Sequence, residues 1–338
     1  MNLERSDRLA VILGSVLLVL AMAIGLHAGN RERDIDEVVF QRTLTFMNHG
    51  RGYYRAMRAA LVEKEHLPPS QVRSIRPPTM FLVLYRLPAA ALRWVVGAVF
   101  AAVLALAWRL GRGLSTYGGP VAVALTGLWL VAASPMLYLH PTLWALPFLL
   151  AGLLAMRNER WAAAALCLAG AAVIREPYAL AFAAGFVWTK DRRWWWPTAV
   201  VLGGLGALHA RLASEVLARH GLETPFGASG LSARYVLTAI GPGTQPLAWA
   251  VGLLGGALGL WALARRWTED RAARTLLTYA LAMYPATILF GRTYWGLGFA
   301  PAVAVYAPAA GAVVVTRVRE FANRMALATR RPFHGASS

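Results

Sequence analysis

The first apolar run of the chain is Leu9-Ala-Val-Ile-Leu-Gly-Ser-Val-Leu-Leu-Val-Leu-Ala-Met-Ala-Ile-Gly-Leu26, and it contains no charged residue. A helix needs about 20 mostly apolar residues to cross a bilayer whose hydrocarbon core is roughly 30 Å thick. Comparable runs recur at residues 93–107, 118–139, 142–156, 161–175, 177–189, 195–213, 247–264, 275–290 and 297–316. This pattern predicts an all-α polytopic membrane protein with about ten transmembrane helices, within a range of roughly eight to eleven.

The composition agrees with this class. Of the 338 residues, 58% are hydrophobic and only 15% are charged, which leaves more apolar surface than one soluble core can hide. The formal net charge of +18 invites a nucleic-acid interpretation. The arginines, however, stand at the ends of apolar runs, as topology signals do, so we expect no nucleic acid among the partners. We predict one transmembrane domain over residues 1–330 and a polar cytoplasmic tail at 331–338.

Basic residues mark alternate ends of the apolar runs. One set of ends carries Arg5, Arg8, Arg109, Arg112, Arg157, Arg160, Lys190, Arg192, Arg193, Arg265, Arg266, Arg271, Arg274 and a basic stretch from Arg317 to Arg331. The positive-inside rule therefore predicts an integral protein of the inner or plasma membrane with both termini in the cytoplasm. The loops at 27–78 and about 211–246 then face outward. The first run resembles a signal peptide but has no clear small-x-small cleavage site before the loop, so we expect a retained anchor.

The loop at 27–78 is expected to be structured. Its apolar residues recur at helical spacing in two groups: Val39, Phe40, Leu44 and Met47, then Tyr54, Met57 and Leu61. Both groups fit amphipathic helices that lie in the headgroup region with the apolar side toward the lipid. Pro68-Pro69 and Pro77-Pro78 redirect the chain, and 79–92 is a third candidate interfacial piece.

The same loop holds the string Asn30-Arg-Glu-Arg-Asp-Ile-Asp-Glu37 directly after the first run. Asp34 and Asp36 are therefore expected near the outer membrane surface, where a carboxylate can take a proton from an attacking hydroxyl. The alternative is a solvated run in which the arginines and acids screen each other. The two aspartates would also be the ligands of any divalent cation, although two carboxylates alone make a weak site.

Other candidate residues stand on the same side. Glu176 is bracketed by apolar runs, and ionisable groups in that setting are either functional or held in a local ion pair with Arg175. Arg76, Arg175 and Arg292 suit bidentate capture of a phosphate, or they reach up to lipid headgroups. His140 follows Leu139 at the tip of a turn and is equally open to both interpretations. The sequence contains no His-Glu-x-x-His, Gly-x-Ser-x-Gly or Walker A string, and the single Cys167 excludes a cysteine metal cluster.

Glycines are grouped in two of the apolar runs. Gly252, Gly255, Gly256 and Gly259 form one group, and Gly203, Gly204 and Gly206 form the other. Small residues at such spacing let helix backbones approach closely, so both groups are predicted to be contacts between packed helices.

Several motifs together resemble a known family. They are Asp36-Glu-Val-Val-Phe40, Gly50-Arg-Gly-Tyr-Tyr54, Arg76-Pro-Pro78 with Pro88 beyond, Ser134-Pro135 with His140, and Arg175-Glu176-Pro177. This arrangement resembles the GT-C superfamily of integral-membrane glycosyltransferases, and within it the bacterial branch that uses polyprenyl-phosphate sugars. The chain departs from that branch in having Phe40 where a tyrosine is common and in lacking a sizeable extracytoplasmic C-terminal domain.

The resemblance implies a reaction and a set of roles. Asp36 corresponds to the catalytic aspartate of the family, with Asp34 beside it, and Tyr54 ends the Gly50–Tyr54 string and is a further site candidate. The aspartate would act as general base on an acceptor hydroxyl, and the sugar would pass with inversion from polyprenyl phosphate to a lipid or glycan. Arg292, with Arg175 or Arg76, would stabilise the leaving phosphate. No cofactor is expected beyond an optional divalent cation.

Three other functions remain open on the sequence. A transporter or polyprenyl-lipid translocase would place an ionisable site near the middle of the bilayer, and no acid lies deep in an apolar run. A non-catalytic subunit of an envelope assembly complex would use the 27–78 loop to bind a partner. Transfer of another lipid-linked group, such as a phosphoalcohol or an acyl chain, is a third possibility.

Overall fold

The structure is a computed structural model that describes residues 3–27, 35–62, 77–137, 140–218, 246–290 and 300–310. These residues fold into α-helices, with no strand in the described ranges. The helices are α1 Leu3–His27, α2 Ile35–Asn48, α3 Tyr53–Val62, α4 Thr79–Leu84, α5 Ala89–Arg112, α6 Gly118–Leu137, α7 Pro141–Arg157, α8 Trp161–Ile174, α9 Ala179–Trp188, α10 Trp195–Ala218, α11 Pro246–Arg265, α12 Arg271–Phe290 and α13 Ala300–Ala304. A 3₁₀ turn, Glu176–Tyr178, links α8 to α9.

The all-α prediction is confirmed, and a helix covers each apolar run within the described ranges. One shift is in α5, which begins at Ala89 and not at Arg93. Its N-cap is Pro88, whose extended ψ of 149° lies outside the helical range, so the helix starts directly after it. Of the predicted run at 297–316, residues 300–310 are described, and they include α13.

Two of the described helices are long and apolar enough to cross a membrane. They are α1, over Ser6–Ile24, and α5, over Ala91–Arg112. Shorter apolar helices occur at Gly118–Val131, Pro141–Arg157 and Trp161–Ile174. The total of about ten crossings stays a prediction.

One large apolar core holds the bundle together. Helix α1 packs along α6, α7 packs on α8, and α9 packs on both α8 and α12. Leu146, Leu149 and Leu150 of α7 are fully buried at the centre. The outward faces are also apolar: Val11 of α1, Trp94 of α5 and Val200 of α10 are 68%, 81% and 72% exposed. The bundle therefore presents apolar side chains both to its core and to its surroundings.

A second apolar cluster joins α2, α3 and α4. The buried members are Val39, Phe40, Leu44, Met47, Tyr53, Ala56, Met57, Ala60, Met80, Phe81 and Leu84. The sequence predicted that the apolar faces of α2 and α3 rest on lipid, and this prediction is wrong. Each helix instead covers the apolar face of the other, because a neighbouring protein surface at close-packed density offers more contacts. Phe40 also meets the ring of Phe81 edge-on at 5.3 Å between centroids.

The basic ends of the helices meet at the end of the bundle opposite α2 and α3. Arg157 at the end of α7 donates to the carboxylate of Asp270 at 2.9 and 3.2 Å and to the carbonyl of Leu110 at 2.7 Å. Arg112 at the end of α5 approaches Asp7 of α1 at 3.8 Å. The alternation of charge read from the sequence thus corresponds to two chemically different ends of one bundle.

Candidate active site

Four segments converge at the end of the bundle that holds α2 and α3. Helix α10 packs on α8 and touches α3, while α4 also reaches α8. Helix α8 ends at Ile174, and Arg175 is extended, with φ −149° and ψ 120°. Pro177 could not continue the helix, because it has no N–H to donate to the carbonyl of Val173. The 3₁₀ turn that follows places Glu176 beside α10.

Three side chains from these segments form a polar line. The hydroxyl of Tyr54 on α3 lies 2.9 Å from Nδ1 of His209 on α10. The other ring nitrogen of His209, Nε2, lies 3.8 Å from Oε1 of Glu176. With the proton on Nε2, His209 accepts the Tyr54 hydroxyl proton at Nδ1 and points its own N–H at the carboxylate. Tyrosine, histidine and glutamate are thus connected across 155 residues of sequence.

Solvent exposure differs between the side chains of this line. His209 is 15% exposed and Glu176 is 43% exposed. Burial raises the pKa of Tyr54 above its usual value, so its hydroxyl remains protonated and able to donate near neutral pH. A phenol, an imidazole and a carboxylate are the side-chain types that general acid–base chemistry uses most. The arrangement is suited to general acid–base chemistry.

The polar line borders an apolar cavity of about 260 Å³. Its walls are Tyr54, Pro77, Pro78, Thr79, Ala172, Val173, Glu176, Ala179, Leu202, Leu205, Gly206, Leu208, His209 and Leu212. Leu205 and Leu208 of α10 are about half exposed, so this wall is open to the surroundings of the bundle. The cavity therefore offers apolar walls to a lipid-like chain and a polar rim to its headgroup.

The Pro-Pro segment of the first outer loop ends at this cavity. Pro77 and Pro78 line it directly, and Thr79 at the start of α4 donates its hydroxyl to the carbonyl of Val173 on α8 at 3.1 Å. This bond satisfies a carbonyl in the last turn of α8 that helix geometry leaves without a partner. The loop is thereby fixed to the wall of the cavity.

Arg175 and His140 are both buried near this end, at 2% exposure each. Arg175 lies within electrostatic reach of Tyr178 and Tyr279 and is not part of the cavity wall. His140 is the N-cap of α7, where Nδ1 accepts the backbone N–H of Thr142 at 3.3 Å. Its ring lies 6.3 Å from that of Phe40, so it helps to place α2 against α7.

The other residues singled out in the sequence are only partly described. Asp36 lies in the first turn of α2, four residues before Phe40, and its side chain lies outside the described part. Asp34, Arg76 and Arg292 also lie outside the described residues. Arg76 directly precedes Pro77, which lines the cavity.

His209 is the residue of this site that the sequence reasoning missed. It lies inside the apolar run at 195–213, which was interpreted only as a membrane segment. An ionisable side chain within such a run is itself a signal of function, because it needs a polar partner in apolar surroundings. That signal was present, but the partners could not be found from periodicity alone.

No group of three or more histidine, cysteine or acidic side chains that could hold a metal ion occurs among the described residues. The possible cation site at Asp34 and Asp36 lies beyond the side chains that are described. Comparisons of the chain with protein-family models, with characterised proteins and with solved structures found no significant match. The functional argument therefore rests on the residues and their geometry.

Proposed function

We propose that this chain is a multi-pass membrane glycosyltransferase of the GT-C type, which moves a sugar from a polyprenyl-phosphate donor to a lipid or glycan acceptor. The reaction takes place on the extracytoplasmic side of the inner or plasma membrane. The observation that carries this proposal is the Tyr54–His209–Glu176 line at the rim of an apolar cavity. That combination matches a substrate with a lipid chain and a reactive polar end.

The surface of the bundle supports a membrane location. Large apolar side chains are exposed along α1, α5 and α10, including Val11, Trp94 and Val200. Soluble monomers rarely expose apolar patches larger than a few hundred Å². Lipid tails cover such apolar faces and keep them from water. The exposed apolar faces of these helices therefore fit a membrane location.

The roles follow from the chemistry of the transfer. The acceptor hydroxyl oxygen attacks the anomeric carbon, the bond from that carbon to the phosphate oxygen breaks, and polyprenyl phosphate leaves as an anion. Asp36, at the start of α2, takes the acceptor proton, and general-base help of this type contributes about 10²–10⁴-fold. The Tyr54–His209–Glu176 line positions the polar end of the substrate at the rim of the cavity.

Phosphate capture is assigned to Arg76, Arg175 and Arg292. Arg76 precedes Pro77 in sequence, and Arg292 belongs to the segment after α12. Arg175 directly precedes Glu176 of the cavity wall and is buried, so its charge is little screened by solvent. Positive charge near the leaving phosphate lowers the barrier because negative charge develops there in the transition state.

The test is transfer of labelled sugar by the purified protein from polyprenyl-phosphate mannose, glucose and arabinofuranose into a native lipid and glycan extract. The parent is expected to transfer label from one donor, and Asp36→Asn is expected to lose at least about 100-fold in rate. Asp7→Asn, at the opposite end of the bundle, is the matched control and should retain the parent rate.

The remaining outcomes separate the alternatives. Binding of polyprenyl phosphate without transfer from any donor would indicate a translocase. Neither binding nor transfer would indicate a non-catalytic assembly subunit. Transfer that survives in Asp36→Asn would remove Asp36 from its role and leave Asp34 or Glu176 as the base.

A further inference from the structure

A second cavity lies at the opposite end of the bundle, where the basic helix ends meet. Its volume is about 410 Å³, and its walls come from the end of α7, the turn after α9 and the start of α12. The charged residues that line it are Arg157, Lys190, Arg266, Arg271, Arg274, Glu159, Glu269 and Asp270. Cations outnumber acids in this wall.

The excess of positive charge remains after the ion pairs of the wall are taken into account. Asp270 is almost fully engaged: it accepts both contacts from Arg157 at 2.9 and 3.2 Å, and it caps α12 by accepting the N–H groups of Ala272 and Ala273. This ion pair is internally neutral. Glu159 is 61% exposed and approaches Lys190 and Arg271 only at 3.6 and 3.8 Å. Contacts of that length and exposure neutralise little.

Two arginines of the wall are held in fixed orientations. The guanidinium of Arg271 stacks over Trp161 with 5.4 Å to the ring centroid, and that of Arg274 stacks over Trp188 at 5.5 Å. Nη1 of Arg271 and Nε of Arg274 are buried, and neither has a hydrogen-bond acceptor within the described part of the chain. Two oriented guanidinium groups with donors to spare are suited to a ligand with several oxygens.

Tryptophan rings place this cavity at a particular depth. Trp161 and Trp188 lie beneath its two arginines, and Trp188 meets Trp267 edge-on at 5.0 Å. Trp194 and Trp196 are exposed on the same end of the bundle. Tryptophan concentrates at the level of lipid headgroups in membrane proteins. The cavity is then open at the depth of the lipid phosphates.

We propose that this cavity binds a phosphate group with net negative charge, carried by an anionic lipid headgroup or free in solution. Arg271 and Arg274 bind the phosphate oxygens, and Lys190 and Arg266 add further positive charge to the wall. Basic pockets between membrane helices are a general solution for holding anionic headgroups. The site is about a bundle length away from the Tyr54–His209–Glu176 cavity and requires no glycosyl transfer, only the membrane location of the bundle.

The test is a thermal-stability titration of the purified protein in a neutral detergent at constant ionic strength. The probes are dioleoyl phosphatidylglycerol, inorganic phosphate and zwitterionic dioleoyl phosphatidylcholine. A ligand that binds only the folded state raises the unfolding temperature as it saturates. Phosphatidylglycerol, inorganic phosphate or both are expected to stabilise the parent saturably, and phosphatidylcholine is not. Saturation by phosphatidylglycerol alone identifies a headgroup site, and saturation by inorganic phosphate alone identifies a site for the free anion.

The double variant Arg271→Gln/Arg274→Gln should weaken the apparent affinity at least about tenfold, since two charge-assisted contacts are lost. The matched control is Arg193→Gln/Arg265→Gln, which removes two arginines of the same end that also stack on tryptophans, Trp194 and Trp261, but lie outside the cavity wall. It should change the affinity by less than about twofold. Equal weakening in the two double variants, or equal stabilisation by phosphatidylcholine, overturns the proposal.

A third variant is expected to bind the anion more tightly. It also tests the proposal if the double variant does not fold. Glu159→Gln removes an exposed negative charge from the wall and should tighten binding by about threefold at low salt. Unchanged or weaker binding in Glu159→Gln also overturns the proposal. Because every readout is binding, the result stands apart from whether the chain transfers sugar.

Discussion

His209 shows how one side chain acquires a role from its surroundings. It is largely buried, and its two ring nitrogens face groups of opposite character, a phenol at 2.9 Å and a carboxylate at 3.8 Å. In apolar surroundings such a line of hydrogen-bonding groups is stronger than in water, and leaving one member out is costly. The line therefore forms a path of polar groups from the cavity wall to the partly exposed carboxylate of Glu176.

Replacement of Glu176 by glutamine tests this path. The amide keeps the size of the side chain but cannot stabilise a positive charge on His209, so we expect the transfer rate to fall by at least about tenfold. The measurement is kcat with the donor that the parent uses. Glu215→Gln is the control, because Glu215 lies on α10 with His209, is half exposed and pairs with Arg211 one turn away at 3.3 Å. Equal rates in the two variants would show that the line does not act in the reaction.

Asp270 has a structural role at the other end. Its side chain is 9% exposed, and it both pairs with Arg157 and caps α12. Asp270→Asn leaves the buried guanidinium without its charge partner, which costs about 3–5 kcal/mol in comparable cases. Asp191→Asn breaks a more exposed contact with Arg193 and should cost about 1 kcal/mol or less. Thermal unfolding in detergent measures both, and similar shifts for the two variants would contradict this assignment.

Among the elements, the helices were the most predictable feature. Runs of apolar residues set their positions, because length and hydrophobicity are local properties of the chain. The direction in which a helix faces was less predictable. Helices α2 and α3 bury their apolar faces on each other and on α4, and the sequence alone cannot distinguish a protein neighbour from lipid as the cover of an amphipathic face.

The two glycine groups show the same limit. Both were predicted to be helix contacts. A methyl group on Gly259 of α11 would collide with the backbone of Val303, whereas one on Gly203, Gly204 or Gly206 of α10 would meet nothing within 4 Å. Among the described residues, therefore, the glycine group of α11 makes a close helix contact and the group of α10 does not.

This difference yields a prediction for α11 and α10. Gly259→Ala forces α11 away from Val303 and should destabilise the fold by about 1–3 kcal/mol. Gly204→Ala has open space around the new methyl group and should be neutral or stabilising by up to about 1 kcal/mol, because alanine favours helix. The unfolding temperatures of the two variants decide the point. A fall of the same size in both would mean that packing at Gly259 is looser than described.

For the whole molecule, the sequence predicted a bundle with two unlike ends more readily than it predicted the site. Glu176 and Tyr54 were singled out from their local settings, but the contact between Tyr54 and His209 joins residues 155 positions apart. Such contacts depend on how helices pack, which apolar periodicity does not encode. The basic residues at alternate ends of the helices, in contrast, can be located directly in the sequence.

The orientation of the bundle has its own test. In a background where Cys167 is replaced by alanine, a cysteine at His49, exposed beyond α2, should react with a membrane-impermeant maleimide in intact cells. A cysteine at Asn158, exposed between α7 and α8, should react only after the membrane is permeabilised. The reverse pattern would place the candidate active site in the cytoplasm and contradict the proposed location.

The most direct measurement is sugar transfer by the parent compared with two variants of α10 that differ only in position. Gly206 lines the cavity and Gly203 does not, and both have open space where a side chain would begin. The account predicts transfer from a polyprenyl-phosphate sugar by the parent and by Gly203→Leu, and loss of transfer in Gly206→Leu, because the new side chain fills the cavity. No transfer by the parent from any polyprenyl-phosphate donor, or equal transfer by the two variants, would contradict it.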